Sequence, residues 1–315
     1  MRIADSLHLF FCWNTPSNRR IVSLFLRACS LFLLFACASG CARTSTRTPA
    51  ASAPKRIICG SPAVTEIVFA LGCGDRVVGV SDYTAFPPEA QQKPRIGGSI
   101  NPNRERLLAA RPDSIVTQGR HDALSAFATT YGVRFLAIKL DTLADLYTSI
   151  HAISTLLDVP EQGRRLEAEL RATLDTIAQR CSAIPPKRVL LLFGRTPGDL
   201  TGLNTVGANT FLNEIISLAG GTNIFADATG LYPHVSKEAI LVRQPEVILE
   251  LHPDGLSEAA RTRLTADWVA LAQTPAIQQA PLRYLTNDCL QIPGPRVGEI
   301  AQAFANAINP KAYRE

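Results

Sequence analysis

The chain has 315 residues, 46% hydrophobic and 19% charged, which is ample apolar content for more than one core. Its formal charge of +5 is not spread evenly: residues 1–55 hold seven basic side chains (Arg2, Arg19, Arg20, Arg27, Arg43, Arg47, Lys55) against one acid (Asp5), which leaves residues 56–315 at −1. A basic excess confined to the first 55 residues is no sign of a nucleic-acid partner, and none is expected.

Arg19, Arg20 and Arg27 precede an apolar run over 28–38, too short to span a bilayer of ~20 helical residues and patterned as a secretion signal. The run ends in Ala38-Ser39-Gly40-Cys41, which resembles a bacterial lipobox: small residues followed by a cysteine whose thiol accepts diacylglycerol. Residues 1–40 are therefore expected to be a lipoprotein signal peptide and Cys41 the lipidation site; a cleaved signal with an incidental cysteine is the alternative. Residues 41–55 are Ser/Thr/Ala/Pro-rich without hydrophobic period, as a flexible tether should be. The expected location is extracytoplasmic, on the periplasmic side or the cell surface, with a lipid as the only membrane attachment. Cys12, Cys29 and Cys37 would leave with the leader. Cys59, Cys73, Cys181 and Cys289 remain, too widely spaced for a zinc site; a Cys59–Cys73 bridge is left open.

The body repeats itself. Arg104-Glu105-Arg106-Leu107-Leu108-Ala109-Ala110-Arg111-Pro112-Asp113-Ser114-Ile115-Val116 aligns without a gap on Lys237-Glu238-Ala239-Ile240-Leu241-Val242-Arg243-Gln244-Pro245-Glu246-Val247-Ile248-Leu249. Each copy reads as a short helix stopped before proline, then a buried strand. Thr65-Glu66-Ile67-Val68-Phe69-Ala70-Leu71-Gly72 likewise matches Asn213-Glu214-Ile215-Ile216-Ser217-Leu218-Ala219-Gly220, a helix ending at glycine and leading into strands over 77–80 and 223–225. Two units recurring in the same order predict two similar Rossmann-like α/β lobes, with a ligand cleft between them. Between the copies, Leu146, Ile150, Ile153 and Leu157 keep helical spacing over 143–157, and Leu166, Leu170, Leu174 and Ile177 continue it over 163–181. Pro185-Pro186 ends this stretch and a strand over 188–193 begins. The expected organisation is an N-terminal lobe at 56–140, connecting helices at 141–184 and a C-terminal lobe at 185–310. A helical joint implies a stiff hinge and modest closure.

Three segments carry a resemblance. Arg56-Ile57-Ile58-Cys59-Gly60-Ser61-Pro62-Ala63-Val64-Thr65-Glu66, then Gly79-Val80-Ser81-Asp82-Tyr83 with Phe86-Pro87-Pro88-Glu89-Ala90, and Pro293-Gly294-Pro295-Arg296 are similar to the helical-backbone substrate-binding proteins of ABC importers for cobalamin, iron-siderophores and haem. Ser81-Asp82-Tyr83, Tyr232-Pro233-His234-Val235-Ser236 and Thr286-Asn287-Asp288 look most like the cobalamin-binding members. The resemblance implies a permease and ATPase complex as partner, a corrinoid as ligand with haem or a ferric siderophore as the alternative, and no cofactor of the chain's own. It also implies a tryptophan near Ser99-Ile100, an aromatic beside Asp288 and a second-lobe disulfide; this chain has no tryptophan at the first place, Cys289 at the second, and Ala219 and Ala305 at the third.

In α/β lobes the loops after the strands' carboxyl ends form the binding face. Tyr83, Gln118, Arg195 and Asp288 follow predicted strands, and Tyr232 lies in the loop before the helix at Ser236. Aromatic rings would cover the apolar face of a large planar ligand while polar groups meet its periphery. Each has a plainer reading: Tyr83 and Tyr232 can pack under proline-rich loops, Asp288 can cap a turn, and Arg296 can pair with a carboxylate or begin the last helix. By resemblance, Tyr83, Tyr232 and Asp288 fall on cobalamin-contacting positions. His121 and His234 sit on candidate cleft loops, where an imidazole would coordinate cobalt or iron, although solvated loop histidines are the commoner case.

Glu105 and Glu238 each stand in the first turn of a helix, where a carboxylate complements the helix dipole by ~0.3–1 kcal/mol. The resemblance adds a second role, docking the permease, one acid per lobe. An extracytoplasmic enzyme is the rival from another class, since the fold alone does not exclude one, and a sensory lipoprotein that binds ligand without transport is the third alternative. The chain has no Gly-x-Ser-x-Gly elbow, phosphate-binding loop or HExxH motif, and Gly194-Arg195-Thr196-Pro197-Gly198 lacks the Lys-Ser/Thr of a phosphate loop.

Overall fold

The structure, a computed structural model, describes residues 53–98, 100–196, 198, 200–269 and 279–310. The expected signal peptide, Cys41 and the tether up to residue 52 lie outside the described residues. Among the described residues no helix is long and apolar enough to cross a membrane.

Two four-stranded, all-parallel sheets form the framework. In the first lobe β1 (Ile57–Cys59), β2 (Val77–Val80), β3 (Ser114–Gln118) and β4 (Arg134–Ile138) order as β2-β1-β3-β4. In the second, β5 (Lys187–Leu192), β7 (Gly221–Asn223), β9 (Val247–Leu251) and β10 (Leu282–Leu285) order as β10-β9-β5-β7. Read from β7, the second order repeats the first strand for strand. A two-residue antiparallel pair, β6 (Leu203–Asn204) with β8 (His234–Val235), is added to the second lobe.

Helices cover both faces, so the strands are apolar on both sides and their alternation separates two cores. Ile57 and Cys59 point to one face of the first sheet and Ile58 to the other; Val189 and Leu191 part from Leu190 and Leu192 in the second. The inner faces of both sheets belong to a single continuous core that passes through the connecting helices. These are α5 (Leu143–Leu156) and α6 (Pro160–Ser182). Leu146, Ile150, Ile153 and Leu157 are all fully buried, each stabilising the fold by about 1.5–3 kcal/mol relative to exposure. Helix α5 packs on α1 (Pro62–Ala70) of the first lobe, and α6 on α7 (Phe211–Leu218) and α10 (Val297–Ile308) of the second. The 23 residues of α6 make a strut of ~35 Å. It starts at Pro160 rather than at 163, because proline at the first helical position gives up no needed hydrogen bond. At Gly163 the two helices touch: a Cβ there would lie 2.3 Å from Ser154 Oγ.

The repeat is reproduced down to its caps. Helices α3 (Arg104–Ala110) and α8 (Lys237–Arg243) each span seven residues. Asn103 and Ser236 cap them by accepting from Arg106 N and Ala239 N, and Arg111 and Gln244 end them in the left-handed conformation, with φ of 43° and 46°. Arg56 and Arg188, aligned at the starts of β1 and β5, donate through Nε to the closing carbonyls of α3 and α8. Asp113 and Glu246 accept from the backbone N–H groups of Arg56 and Arg188.

Some boundaries differ from the sequence pattern. The strand expected at 223–225 ends at Asn223, whose side chain bonds to Val206 O and to Phe225 N and turns the chain out of the sheet. The last strand lies at Leu282–Leu285, pairing from the Pro281 carbonyl onward, which bonds to Ile248 N. His234 belongs to β8, opposite Asn204, rather than to a loop. Cys59 and Cys73 are separate buried thiols, so the Cys59–Cys73 bridge is not formed; Cys181 and Cys289 are buried too. Burial pushes Cys59 up to about 12 and Cys289 to about 11, which makes both poor nucleophiles.

Candidate ligand cleft

The carboxyl edge of the first sheet opens on a cavity of about 410 Å³ that brings together Tyr83, Gln118, His121, Lys139 and Asp141 over Gly60-Ser61-Pro62. Gln118 ends a strand and the others follow strand ends, as the chain order of a parallel sheet dictates. The loop carrying Tyr83 is pinned from below: Arg95 donates to Ser81 O and Thr84 O, and Asp82 Oδ1 accepts from Gly97 N. Tyr83 is 73% exposed and its ring lies on Gly98, where a Cβ would come within 3.2 Å. It is not packed under the proline-rich segment. Gln118 ends β3 and makes no side-chain hydrogen bond among the described residues. His121 is the residue before helix α4 (Asp122–Tyr131) and lacks a carboxylate partner among the described residues.

The second lobe has a larger cavity, about 960 Å³, also at strand carboxyl ends, lined among others by Phe193, Arg195, Glu250, His252, Asp267 and Gln291. Tyr232 ties the two sides together. Its ring meets Phe193 edge-on at 5.4 Å, and burial, with a smaller push from the Asp141 carboxylate of the first cavity, raises its phenol above the ordinary range. The ring remains 46% exposed.

Arg195 is placed differently from the sequence expectation. Its side chain is only 3% exposed and it is committed to Glu250 at 3.2 Å, Asp267 at 2.6 Å and Leu264 O at 2.9 Å. It serves as the centre of a buried charge cluster rather than as a group held out to a ligand. Asp288 makes no capping hydrogen bond among the described residues; its Oδ1 accepts from Arg296 Nη1 at 2.7 Å while the side chain stays 57% exposed. Arg296 meets both plain expectations, since it precedes the first residue of α10 and pairs with Glu66 across the lobes. Its guanidinium also lies over the Phe86 ring at 4.1 Å. Cys289, which stands where the resemblance implies an aromatic, is fully buried. Ala219 and Ala305 are likewise fully buried, and Asn309 links their turns by bonding to both carbonyls.

Glu105 and Glu238 occupy equivalent second positions of α3 and α8, exposed on both lobes. Hydrogen bonding from Ser236 holds Glu238 below the usual carboxylate range, so this knob stays charged. The sequence reading missed the Arg195–Glu250–His252–Asp267 cluster. Glu250 and His252 straddle the end of β9, and a charged residue inside an otherwise apolar parallel strand was the available signal.

The profile of the periplasmic binding protein family matches residues 57–288. The chain belongs to that family. A vitamin B12-binding protein of Yersinia pestis is 32% identical over 278 residues, covering 85% of this chain and 92% of that protein. One from Photorhabdus laumondii is 30% identical over 204 residues, covering 63% and 71%. Among solved structures, the periplasmic vitamin B12 binding protein of Vibrio cholerae superposes with a TM-score of 0.66 at 28% identity, over 83% of this chain and 99% of that one. A periplasmic haem-binding protein from Pseudomonas aeruginosa gives 0.71 at 26% identity, over 82% and 94%. As a family member the chain is a binding protein built on two parallel α/β lobes.

Proposed function

We propose that this chain is the extracytoplasmic capture component of an ABC importer, taking a corrinoid into the interlobe cleft and presenting it to the permease through Glu105 and Glu238. The observation that carries the reading is a two-sided aromatic and polar cleft on a chain with 85% coverage by a relative named for vitamin B12 binding. Tyr83 and Tyr232 supply exposed rings, and Gln118 and Asp288 supply polar groups for peripheral amides. Arg195 supports the cavity wall from behind. Cys41 would carry the lipid that holds the protein at the membrane. Haem is the second reading, supported by the Pseudomonas aeruginosa neighbour.

Titration of the purified protein with cyanocobalamin, haem and ferric siderophores, followed calorimetrically, tests the ligand. Tight cobalamin binding weakened by Tyr83→Ala and Tyr232→Ala supports the corrinoid; haem binding with no response to cobalamin replaces it. Cys41→Ser should release the protein from the membrane fraction.

A further inference from the structure

The floor of the second-lobe cavity holds a charge cluster that stability alone does not call for. One guanidinium, Arg195, faces two carboxylates, Glu250 and Asp267, all at most 12% exposed, which leaves one excess negative charge. Buried ion pairs of this kind contribute little net stability, because desolvation offsets their attraction. The cluster fixes Glu250 from two further sides: Trp268 Nε1 donates to its Oε1, and His252 Nε2 lies 3.3 Å from its Oε2. A carboxylate only accepts, so Nε2 is the donor, and in the neutral ring Nδ1 then keeps the lone pair. Nδ1 has no hydrogen-bond partner among the described residues. The ring packs against Tyr284 at 5.6 Å, and His252 N bonds to Leu285 O at 2.8 Å, which hold the residue at the cavity wall.

An imidazole tied through one nitrogen to a buried carboxylate, its other nitrogen unused beside a large cavity, is how proteins commonly present histidine to a transition metal. Among the described residues no group of three His, Cys, Asp or Glu could hold a metal ion by itself. The metal would therefore have to arrive with its own equatorial donors. Neither sequence candidate shares this arrangement: His121 lacks a carboxylate partner among the described residues, and His234 is exposed on β8. We propose that His252 is an axial donor to the cobalt of a bound corrinoid, with Glu250 as its positioning residue. The cluster's excess negative charge complements a cationic metal centre. The inference rests on the corrinoid reading above.

Diaquocobinamide, a corrinoid with exchangeable axial waters, is the probe. Added to the purified full chain, it should show the visible-band shift that accompanies replacement of water by imidazole. In His252→Ala the shift should disappear and affinity should fall at least tenfold, and free imidazole should restore the bound spectrum. Glu250→Gln should keep the shift but weaken binding by about 10–100-fold; circular dichroism confirms that both variants are folded. Binding with an unshifted spectrum overturns the ligation but leaves the corrinoid reading standing, as does a shift that survives in His252→Ala or is lost in His121→Ala instead. A folded wild-type chain that binds no corrinoid at all overturns the functional reading, and this inference with it.

Discussion

Glu66 and Arg296, 230 residues apart in the chain, form a two-point ion pair of 2.7 and 3.1 Å that bolts the first helix of one lobe to the last helix of the other. Both are almost fully buried, and Arg296 extends the connection to Asp288 at the cleft. Burial holds the Glu66 carboxyl above its usual range, against the pull of the guanidinium. Its ordinary ionisation near 4.5 is thus disfavoured by folding, so any stability tied to it is present at low pH and lost as pH rises through the raised value. The pair fixes geometry more than it adds stability.

Removing one partner should therefore do more harm than removing both. Glu66→Leu strands a buried guanidinium and should lower unfolding free energy by about 3–5 kcal/mol, whereas Glu66→Leu with Arg296→Met should recover much of that loss. Urea denaturation of the four proteins in the cycle measures it. Equal losses in the single and double variants would show that the lobes are not bolted there.

The connecting helices have their own electrostatic clasp. Arg171 holds the Glu167 carboxylate below its usual range, with burial opposing and His151 of α5 assisting. Arg171 also covers the Tyr147 ring of α5 at 3.9 Å. A depressed carboxylate contributes stability that is full above its ordinary value and lost as pH falls through the depressed one. Wild type should thus lose about 0.5–1 kcal/mol more than Glu167→Gln between about pH 5 and pH 3. Thermal midpoints across that range read the difference.

Much of this architecture could be read from the sequence because the repeat is gapless and its punctuation is chemical. Pro112 and Pro245 stop helices, Gly72 and Gly220 turn the chain at φ of 74° and 77°, and aliphatic runs mark buried strands. Strand ends were less legible where a side chain decides them, as Asn223 does by bonding back into its own turn. The cleft was partly legible, since residues after strands must line the carboxyl edge. What failed for Arg195 is that position fixes the edge, not the direction: two carboxylates far away in sequence draw its guanidinium inward. His252 was hidden for the same reason, because its Glu250 partner is defined by burial.

The close contact of the two connecting helices at Gly163 makes a sharp packing test. Gly163→Ala places a methyl group 2.3 Å from Ser154 Oγ and 2.7 Å from its Cβ. Alanine would gain roughly 1 kcal/mol in helix propensity, yet the overlap should cost about 1–3 kcal/mol more than that by forcing α5 and α6 apart. Ser154→Gly in the same chain should remove the overlap and restore the midpoint. A stabilised single variant would mean the helices adjust freely and the strut is softer than its shared core implies.

The paired glutamates allow the proposed docking role to be tested apart from capture. Glu105 and Glu238 lie on equivalent helices of the two lobes, away from both cleft cavities. Reversal to lysine at both places changes the surface by four charge units and costs the Ser236 hydroxyl its bond to Glu238, while the backbone bonds that Asn103 and Ser236 accept at the helix ends remain. Each reversal should lower stability by no more than ~1 kcal/mol through the helix dipole. Ligand affinity of the purified double variant should match wild type, while uptake by cells depending on it should be abolished, with each single reversal intermediate. Unchanged transport by the double variant would remove the docking role, and lost ligand affinity would place these acids in capture instead.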